Sequence, residues 1–347
     1  MGDNISRNDS LRNAWLLALI NRKEQVTRAY YDLAYPYANT IPLTARNLRN
    51  RVAYTTITND YSTTNFNAAT FYSYDIHGNV DTLLQDFGAS TNELTKNIMN
   101  RNGNRWARMV YQYDLISGKV NHVAFNPPYF DVTTQAYVMP KTLFYHRYSY
   151  DAENRLTMVE TSRDSVFWQK DARYEYYKHG PLARVVIGDQ QVQGLDYAYT
   201  IQGWLKGVNS TAATSTQDIG GDGMIGGQNV NVARDVFGFS LNYFGGDYSA
   251  INSVVNPFPN TSGPLTTKAA YRPLYNGNIS SMAVNIKPFN QPFLYNYKYD
   301  QLNRLTAMDA FTGLDTAANN WTAITATKSY NERVSYDACP CEGRGQW

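Results

Sequence analysis

Aromatic and polar residues alternate in short segments that recur along the chain. In Tyr72-Ser73-Tyr74-Asp75 the tyrosines are two residues apart, which places both rings on the same side of an extended strand. Aromatic residues favour a pleated, half-buried surface, so this segment is predicted to be a strand. Asp75 can accept a hydrogen bond from the backbone two residues on and start a turn, Gly78 tolerates positive φ, and Val80 begins an apolar return strand. The pattern therefore predicts a β-hairpin.

Repetition of this pattern predicts the architecture of the whole chain. Each unit of such a repeat needs its neighbours to bury a face. The chain is therefore predicted to be all-β, with consecutive hairpins forming one curved, spiralling sheet. The residues of the four best copies are predicted to be scaffold rather than active site: Tyr72, Tyr74, Asp75 and Gly78; Tyr111, Tyr113, Asp114 and Gly118; Tyr148, Tyr150 and Asp151; Tyr297, Tyr299 and Asp300.

Degenerate copies fill most of the gaps between the good ones. Tyr174–Tyr177 and Tyr197–Thr200 are examples, and the Asn-Gly signal in Leu274–Ile279 indicates a further hairpin turn. The repeat region is predicted to cover residues 27–337. Loop insertions are expected between hairpins, near residues 211–232 and 252–268.

The two ends of the chain depart from the repeat. Residues 1–26 are predicted to form a short helix or strand without an evident signal peptide, and their apolar run is too short to span a bilayer. The tail 338–347 contains both cysteines, Cys339 and Cys341, where a turn should follow Tyr336-Asp337. This tail is predicted to be truncated or altered, and the chain to be a piece of a longer exported protein.

Charge and composition narrow the classes of partner. The 31 basic and 29 acidic residues give a formal charge of +2, which favours neither nucleic acid nor an anionic membrane. The 29 tyrosines are the main compositional bias, and they are expected chiefly to pack hairpins. An alternative is that exposed rings stack on sugars or on a partner chain, with Trp106, Trp168 and Trp204 as candidates.

No recognisable catalytic motif is present. The four histidines have no metal-ligand spacing, and no nucleophile elbow or phosphate-binding loop occurs. The chain is therefore predicted to lack enzymatic activity and cofactors, although two carboxylates of a glycoside hydrolase could be brought together only by the fold.

One loop resembles a calcium-binding loop in part. Asp218, Asp222 and Gly223 match the first, fifth and sixth positions of such a loop. Gly220 replaces the ligand at the third position, and Asn229 stands at the twelfth, where a bidentate glutamate is usual. We favour a flexible glycine loop here and predict no metal.

The repeats resemble the YD-repeat, or RHS-repeat, family, especially the versions in large secreted proteins of Bacteroidetes-type bacteria. The resemblance covers the span from about Thr27 to Asp337. It is carried by the following stretches: Tyr72–Val80, Tyr113–Val120, Tyr176–Leu182, Gly203–Asn209 and Phe237–Tyr243.

The resemblance implies a β-strip that spirals into a hollow shell. Such shells enclose a toxic C-terminal polypeptide or display adhesive, carbohydrate-binding surfaces outside the cell. The Asp-Pro-x-x-Gly-Arg signature of the family's closing core is absent here. The chain is therefore expected to be shell wall alone, with its own C-terminal region or a toxin cargo as partner. A glycan-binding surface or an inactive remnant are the alternatives.

Overall fold

The computed structural model describes residues 9–18, 25–37, 40–58, 66–88, 98–101, 104–131, 135–140, 142–261, 273–289, 291–321, 324–327 and 329–336. The tail 338–347 and residues 262–268 of the second predicted insertion lie outside these described residues. The chain divides into two compact units, residues 1–169 and residues 170–347.

The first unit is built almost entirely from antiparallel strands. Its elements are α1 (Asp9–Ala18), β1 (Val26–Tyr31), β2 (Val52–Thr58), β3 (Ala68–Tyr74), β4 (Val80–Asp86), α2 (Ile98–Arg101), β5 (Trp106–Tyr113), β6 (Val120–Phe125), β7 (Tyr129–Asp131), β8 (Ala136–Val138), β9 (Phe144–Tyr150) and β10 (Leu156–Ser162). Strands β1 to β6 pair in chain order, and β6 then pairs with β9 and β9 with β10. Strands β7 and β8 form a separate small hairpin.

The second unit continues the same plan. Its elements are β11 (Gln169–Tyr176), β12 (Leu182–Ile187), β13 (Gln193–Tyr199), β14 (Leu205–Val208), β15 (Phe237–Asn242), β16 (Ser281–Ile286), β17 (Phe293–Tyr299), β18 (Leu305–Thr312), β19 (Thr325–Ala326) and β20 (Glu332–Arg333). Strands β11 to β18 pair antiparallel in chain order, and β19 and β20 both pair with β18. The prediction of an all-β fold made of consecutive hairpins is therefore confirmed.

Each unit buries one face of its sheet under a connecting segment. In the first unit, Phe71 and Leu84 are buried beneath Ile41 and Leu43 of the β1–β2 connection. In the second unit, Trp321 from the segment after β18 is completely buried with Leu294 and its neighbours. The strands are therefore held by long connections that fold back onto them as well as by their ladders.

The Asn276-Gly277 signal does not mark a hairpin of its own. Residues 273–280 contain no strand, and the turn that they form closes the long connection between β15 and β16. Insertion between hairpins was expected throughout, but this connection interrupts a single hairpin. The turn itself is present, with the N–H of Asn278 bonded to Asn276 Oδ1 at 3.1 Å. The pairing of Asn242 with Ser281, which places this turn at the end of a long connection, is decided across the sheet.

Candidate functional site

The aspartate of each repeat caps its own hairpin turn. One carboxylate oxygen, Oδ1, accepts a hydrogen bond from the backbone N–H two residues on. The four bonds join Asp75 to His77 at 2.8 Å, Asp114 to Ile116 at 3.1 Å, Asp151 to Glu153 at 2.9 Å and Asp300 to Leu302 at 2.9 Å. In three of the turns the same oxygen also accepts from the residue four positions on, at 2.9 Å. The carboxylate thus fixes the turn at both ends.

Each of these turns also needs one residue in the left-handed backbone region. Gly78 and Gly118 have φ values of 96° and 67°, and Asn154 and Asn303 have 61° and 59°. The pairing shifts by one residue where each turn begins, as between Ser73 and Tyr74. In the turns of Asp75, Asp151 and Asp300 this combination is the three-residue hairpin loop with a bulge, in which glycine and asparagine are favoured. The Asp114 turn is one residue longer, since the N–H of Asp114 bonds to the carbonyl of Lys119.

The second tyrosine of the repeat joins neighbouring hairpins. Its hydroxyl donates a hydrogen bond to a backbone carbonyl at or just before the start of a strand in the adjacent hairpin. The bonds run from Tyr74 to Val52 (2.8 Å), Tyr113 to Val80 (2.9 Å), Tyr150 to Val120 (2.8 Å), Tyr243 to Leu205 (2.9 Å), Tyr299 to Ile279 (2.9 Å) and Tyr336 to Leu305 (2.9 Å). We call this bond the tyrosine latch.

The latch satisfies a carbonyl at the point where the ladder between hairpins stops. The ladder between β2 and β3 ends at Tyr54, and the accepting residue Val52 lies two positions beyond it. Likewise, the ladder between β4 and β5 ends at Thr82, and Val80, which accepts from Tyr113, lies two positions beyond it. Because a buried backbone carbonyl without a partner is costly, the latch extends the bonding between hairpins beyond the strands themselves. Tyr177 differs, since its hydroxyl bonds forward to the carbonyl of Tyr197 at 2.8 Å.

The two tyrosines of a repeat lie on the same face of the sheet. Their rings are nearly parallel, with centroids 6.5 Å apart for Tyr72 and Tyr74 and 6.4 Å apart for Tyr111 and Tyr113. These contacts are consistent with rings that pack along the strand.

The three tryptophans considered for sugar stacking are half-buried against other side chains. Arg105 lies 4.3 Å from the ring centre of Trp106, Arg147 lies 4.2 Å from that of Trp168, and the ring of Tyr243 lies 5.0 Å from that of Trp204. Each ring thus has at least one protein partner already, and glycan stacking on these rings stays a prediction.

The connection between β14 and β15 folds back over the sheet of the second unit. The fully buried Asn209 accepts a hydrogen bond from the backbone N–H of Asp196 and donates one to the carbonyl of Phe237, both at 2.9 Å. Further along, Asn229 donates to the carbonyl of Gly220 at 2.7 Å. The stretch interpreted from sequence as a flexible glycine loop is therefore held by defined hydrogen bonds.

Five charged residues converge beneath this connection, and we call them the acidic pocket. Arg184 comes from β12, Asp196 from β13, and Asp218, Asp222 and Asp235 from the connection itself. All five are buried, with exposed fractions between 2% for Asp222 and Asp235 and 7% for Asp218. Arg184 donates to Asp196 at 2.5 Å and also to Asp222. Carboxylate oxygens of Asp196, Asp218 and Asp235 all lie within 4.8 Å of one another.

Burial governs the ionisation of the acidic pocket. Loss of solvent raises the pKa of Asp196 to about 6, although the Arg184 guanidinium acts to lower it. Burial also raises the pKa of Asp222 and of Asp235, and the neighbouring Asp218 carboxylate raises that of Asp235 further. A low-dielectric site with excess negative charge disfavours the ionised forms.

Sequence reasoning singled out only part of the acidic pocket. Asp218 and Asp222 stood out because they lie in a glycine-rich loop, whereas Asp196 and Asp235 were missed. Asp196 lies within a strand and Asp235 follows Arg234 without any motif. Their association with Asp218 depends on how the connection folds back, which no local pattern reveals.

A second buried ion pair anchors the connection between β15 and β16. The Lys206 ammonium donates to Asp247 at 2.7 Å and to the side-chain oxygen of Asn242 at 2.8 Å. Asp247 in turn accepts from the backbone N–H of Tyr243 at 2.9 Å. Burial lowers the pKa of Lys206, and Asp247 opposes this effect. Since Lys206 and Asp247 both have hydrogen-bond partners, the role of this ion pair is to hold the connection in place.

The fold and its repeated turns define an all-β protein of consecutive, latched hairpins. No family model matches the chain, and no curated protein matches it. Among solved structures, it resembles TcdB2-TccC3-Cdc42 with 12% identity and a TM-score of 0.38, covering 77% of this chain and 12% of that one. It also resembles TcdB2-TccC3 without the hypervariable C-terminal region, with 13% identity and a TM-score of 0.39, covering 79% of this chain and 12% of that one.

A third similar structure is a porin-like protein from Bacteroides uniformis. Its identity is 10% and its TM-score 0.24, with 75% of this chain and 84% of that chain covered. The chain thus spans about an eighth of the length of the TcdB2-TccC3 chains that it matches, since 12% of each is covered. At these TM-scores and identities, the comparisons carry no argument about function. Among the described residues, no helix has the length and apolar character needed to cross a membrane.

Proposed function

We propose that this chain is a wall segment of a large RHS-type shell and acts as a scaffold without catalytic activity. The observation that carries the proposal is the tyrosine latch, which recurs from Tyr74 near the start to Tyr336 near the end. The latch gives six of the repeats the same bond to the preceding hairpin. A strip made in this way can be extended by adding hairpins, as a shell wall requires.

The hairpin tips give this proposal independent support. Several turns carry an aliphatic side chain at their most exposed point, where a polar residue would be expected. Ile76 is 85% exposed, Ile116 98% and Ile201 94%. In the first unit, Ile76 and Ile116 belong to successive hairpins of like orientation, so they lie along the same edge of the sheet. An apolar edge suits a strip that lies against another layer of the same shell.

The acidic pocket gives no support to a glycoside hydrolase. Asp196, Asp222 and Asp235 are at most 4% exposed, so a sugar ring could not approach two of these carboxylates. Within the described residues, this is the one group of three or more acidic, histidine or cysteine side chains close enough together to share an ion. The role proposed for the chain is therefore geometric, with its own further C-terminal region or a toxin polypeptide as cargo outside the cell.

Protease protection tests this proposal. The natural gene would be expressed in full, including whatever it encodes after residue 347, and the product digested at increasing urea concentrations. The expected result is early cleavage in exposed connections of the wall, such as residues 163–167. A downstream segment should survive until the wall unfolds. Removing latches with Tyr74→Phe and Tyr113→Phe should end this protection at lower urea than in wild type, whereas Tyr72→Phe should not.

Two results would overturn encapsulation. One is a gene product in which no segment outlasts the folded wall, and the other is a gene that encodes no further polypeptide. Specific binding on a glycan array by the folded chain would then favour the adhesion alternative. Loss of that binding in Trp106→Ala or Trp168→Ala would locate the sugar on those rings.

A further inference from the structure

The acidic pocket has the geometry of a cation site. Asp196, Asp218 and Asp235 come from three separate parts of the second unit, yet each offers a carboxylate oxygen within 4.8 Å of the other two. Calcium binds oxygen ligands at about 2.3–2.6 Å, so ligands on opposite sides of one ion are about 4.6–5.2 Å apart. The observed spacing fits three ligands around a common centre.

Several oxygens of the acidic pocket lack a hydrogen-bond donor. Both carboxylate oxygens of Asp235 have no partner among the described residues, although the residue is only 2% exposed. One carboxylate oxygen of Asp218 and one of Asp222 also have no hydrogen-bond partner among the described residues. A buried acceptor without a partner is costly, and an ionised one more so. Asp235 thus brings buried acceptor oxygens close to those of Asp196 and Asp218.

The charges of the acidic pocket do not balance. Four carboxylates face a single cation, the Arg184 guanidinium, and it is bonded to Asp196 and Asp222. Neither bond reaches Asp218 or Asp235, so ionisation of these two carboxylates would leave negative charge on that side without a counter-ion. A divalent cation there would neutralise most of the excess and would accept the unpaired oxygens as ligands.

The ligand atoms indicate which cation fits. Oxygen donors select hard ions, while zinc and copper prefer histidine or cysteine, and neither type occurs in the acidic pocket. Magnesium demands near-ideal octahedral geometry, whereas calcium accepts irregular sets of oxygens that include carboxylates and waters. The carboxylates of the acidic pocket come from a strand and an irregular connection, so they form an irregular set of oxygens that suits calcium.

We propose that Asp196, Asp218 and Asp235 bind one calcium ion, which fastens the β14–β15 connection to the sheet of the second unit. Asp222 stands at the side of the site and is held by Arg184. The proposed ligands differ from those of the sequence motif, because Asp196 and Asp235 lie outside the loop of residues 218–229. This inference does not rest on the proposed shell function.

Calcium uptake by the full 347-residue chain tests the site. The protein would be stripped of metal with a chelator and titrated with calcium chloride near neutral pH, with bound metal and melting temperature recorded. We expect one ion per chain and a melting temperature several degrees higher with millimolar calcium, because a ligand that binds only the folded state stabilises it. Magnesium should give a smaller shift.

Asparagine variants then locate the ion. Asp218→Asn and Asp235→Asn keep the side-chain shape and should weaken calcium binding by at least about tenfold. Asp300→Asn is the control, since this carboxylate caps a hairpin turn in the same unit and should leave calcium binding unchanged. Equal binding by wild type and both pocket variants would overturn the assignment.

A proton shared between Asp218 and Asp235 is the competing occupant. In that case the folded wild-type chain takes up no calcium, its melting temperature is insensitive to calcium, and the proposal is wrong. Hydrogen exchange on the wild type keeps the test valid if the variants fail to fold. Calcium should slow exchange in residues 209–236 and in β13, and leave β3 to β6 unchanged. Slower exchange caused by calcium only in other parts of the chain would also overturn the proposed site.

Discussion

At the residue scale, the tyrosines of one repeat have different tasks. The Tyr74 hydroxyl bonds to the Val52 carbonyl of the neighbouring hairpin, whereas the Tyr72 hydroxyl has no hydrogen bond to another described residue. Both rings pack on the same face, although Tyr74 is more buried and has the Arg51 guanidinium 5.4 Å from its ring centre. A change of either residue to phenylalanine removes only the hydroxyl group. This matched pair separates the bond from the packing.

Tyr74→Phe is expected to lower the free energy of unfolding by about 1 kcal/mol, the usual contribution of one buried hydrogen bond. Tyr72→Phe should leave it nearly unchanged. Urea unfolding of both variants measures the difference. Equal losses would mean that the latch contributes no more than an ordinary packed ring.

The turn aspartates predict how stability responds to acid. The pKa of Asp300 lies below its ordinary value of 3.8, chiefly because the backbone N–H of Arg304 donates to the carboxylate. A lowered folded-state pKa means that the carboxylate stabilises the fold above pH 3.8, and that this contribution is lost as the pH falls through the lowered value. The same holds for Asp151.

Asp300→Asn should therefore melt at a lower temperature than wild type at neutral pH. The gap between the two should close in strong acid, where the native carboxylate is protonated as well. Melting temperatures measured across a pH series provide the test. A gap that is constant with pH would show that the lowered pKa makes no contribution to stability.

At the scale of elements, long connections supply part of the core of each unit. The segment after β18 inserts Trp321 completely into the core formed with Leu294 and Phe311. The indole N–H of Trp321 has no acceptor among the described residues. The side chain therefore stabilises the sheet by filling space rather than by a polar contact.

Trp321→Ala should cost about 3–5 kcal/mol in unfolding free energy, the usual effect of removing a large buried side chain. Trp321→Phe should cost clearly less, because it keeps much of the apolar volume and removes the unpaired N–H. Chemical denaturation followed by circular dichroism compares them. Similar losses in both variants would point to a role for the indole nitrogen after all.

At the scale of the whole molecule, the chain consists of two compact units with separate cores. Repeat proteins gain stability mainly from contacts between neighbouring elements, so damage in one part need not spread. Leu84 in the first unit and Leu294 in the second are both 0% exposed. Replacing either leucine by alanine creates a cavity in one core and shows whether the other unit is destabilised as well.

Leu84→Ala is expected to lose about 2–5 kcal/mol of local stability and to speed hydrogen exchange in β2 to β5. Leu294→Ala should speed it in β15 to β18 instead. Exchange measured by mass spectrometry on the full chain distinguishes the two patterns. Acceleration of both units by either variant would show that the units unfold as one.

The sequence by itself determined the hairpins, because the information that specifies them is local. The two-residue spacing of Tyr72 and Tyr74 places both side chains on one face of a strand. Asp75 followed by Gly78 specifies the turn, and these signals all lie within a few residues of one another. Both features could be predicted without knowing any distant contact. The same locality predicts the turn at Asn276-Gly277 but not the long connection that this turn closes.

Only the tertiary structure decided the partners of these elements. The Tyr74 hydroxyl acquires Val52 as acceptor because β2 and β3 pair in one particular register. Asp196 meets Asp218 and Asp235 because the 28-residue connection of residues 209–236 folds back over β13. Such encounters depend on the packing of segments that are far apart in the chain, and burial then gives the carboxylates a chemistry that they would not have in water.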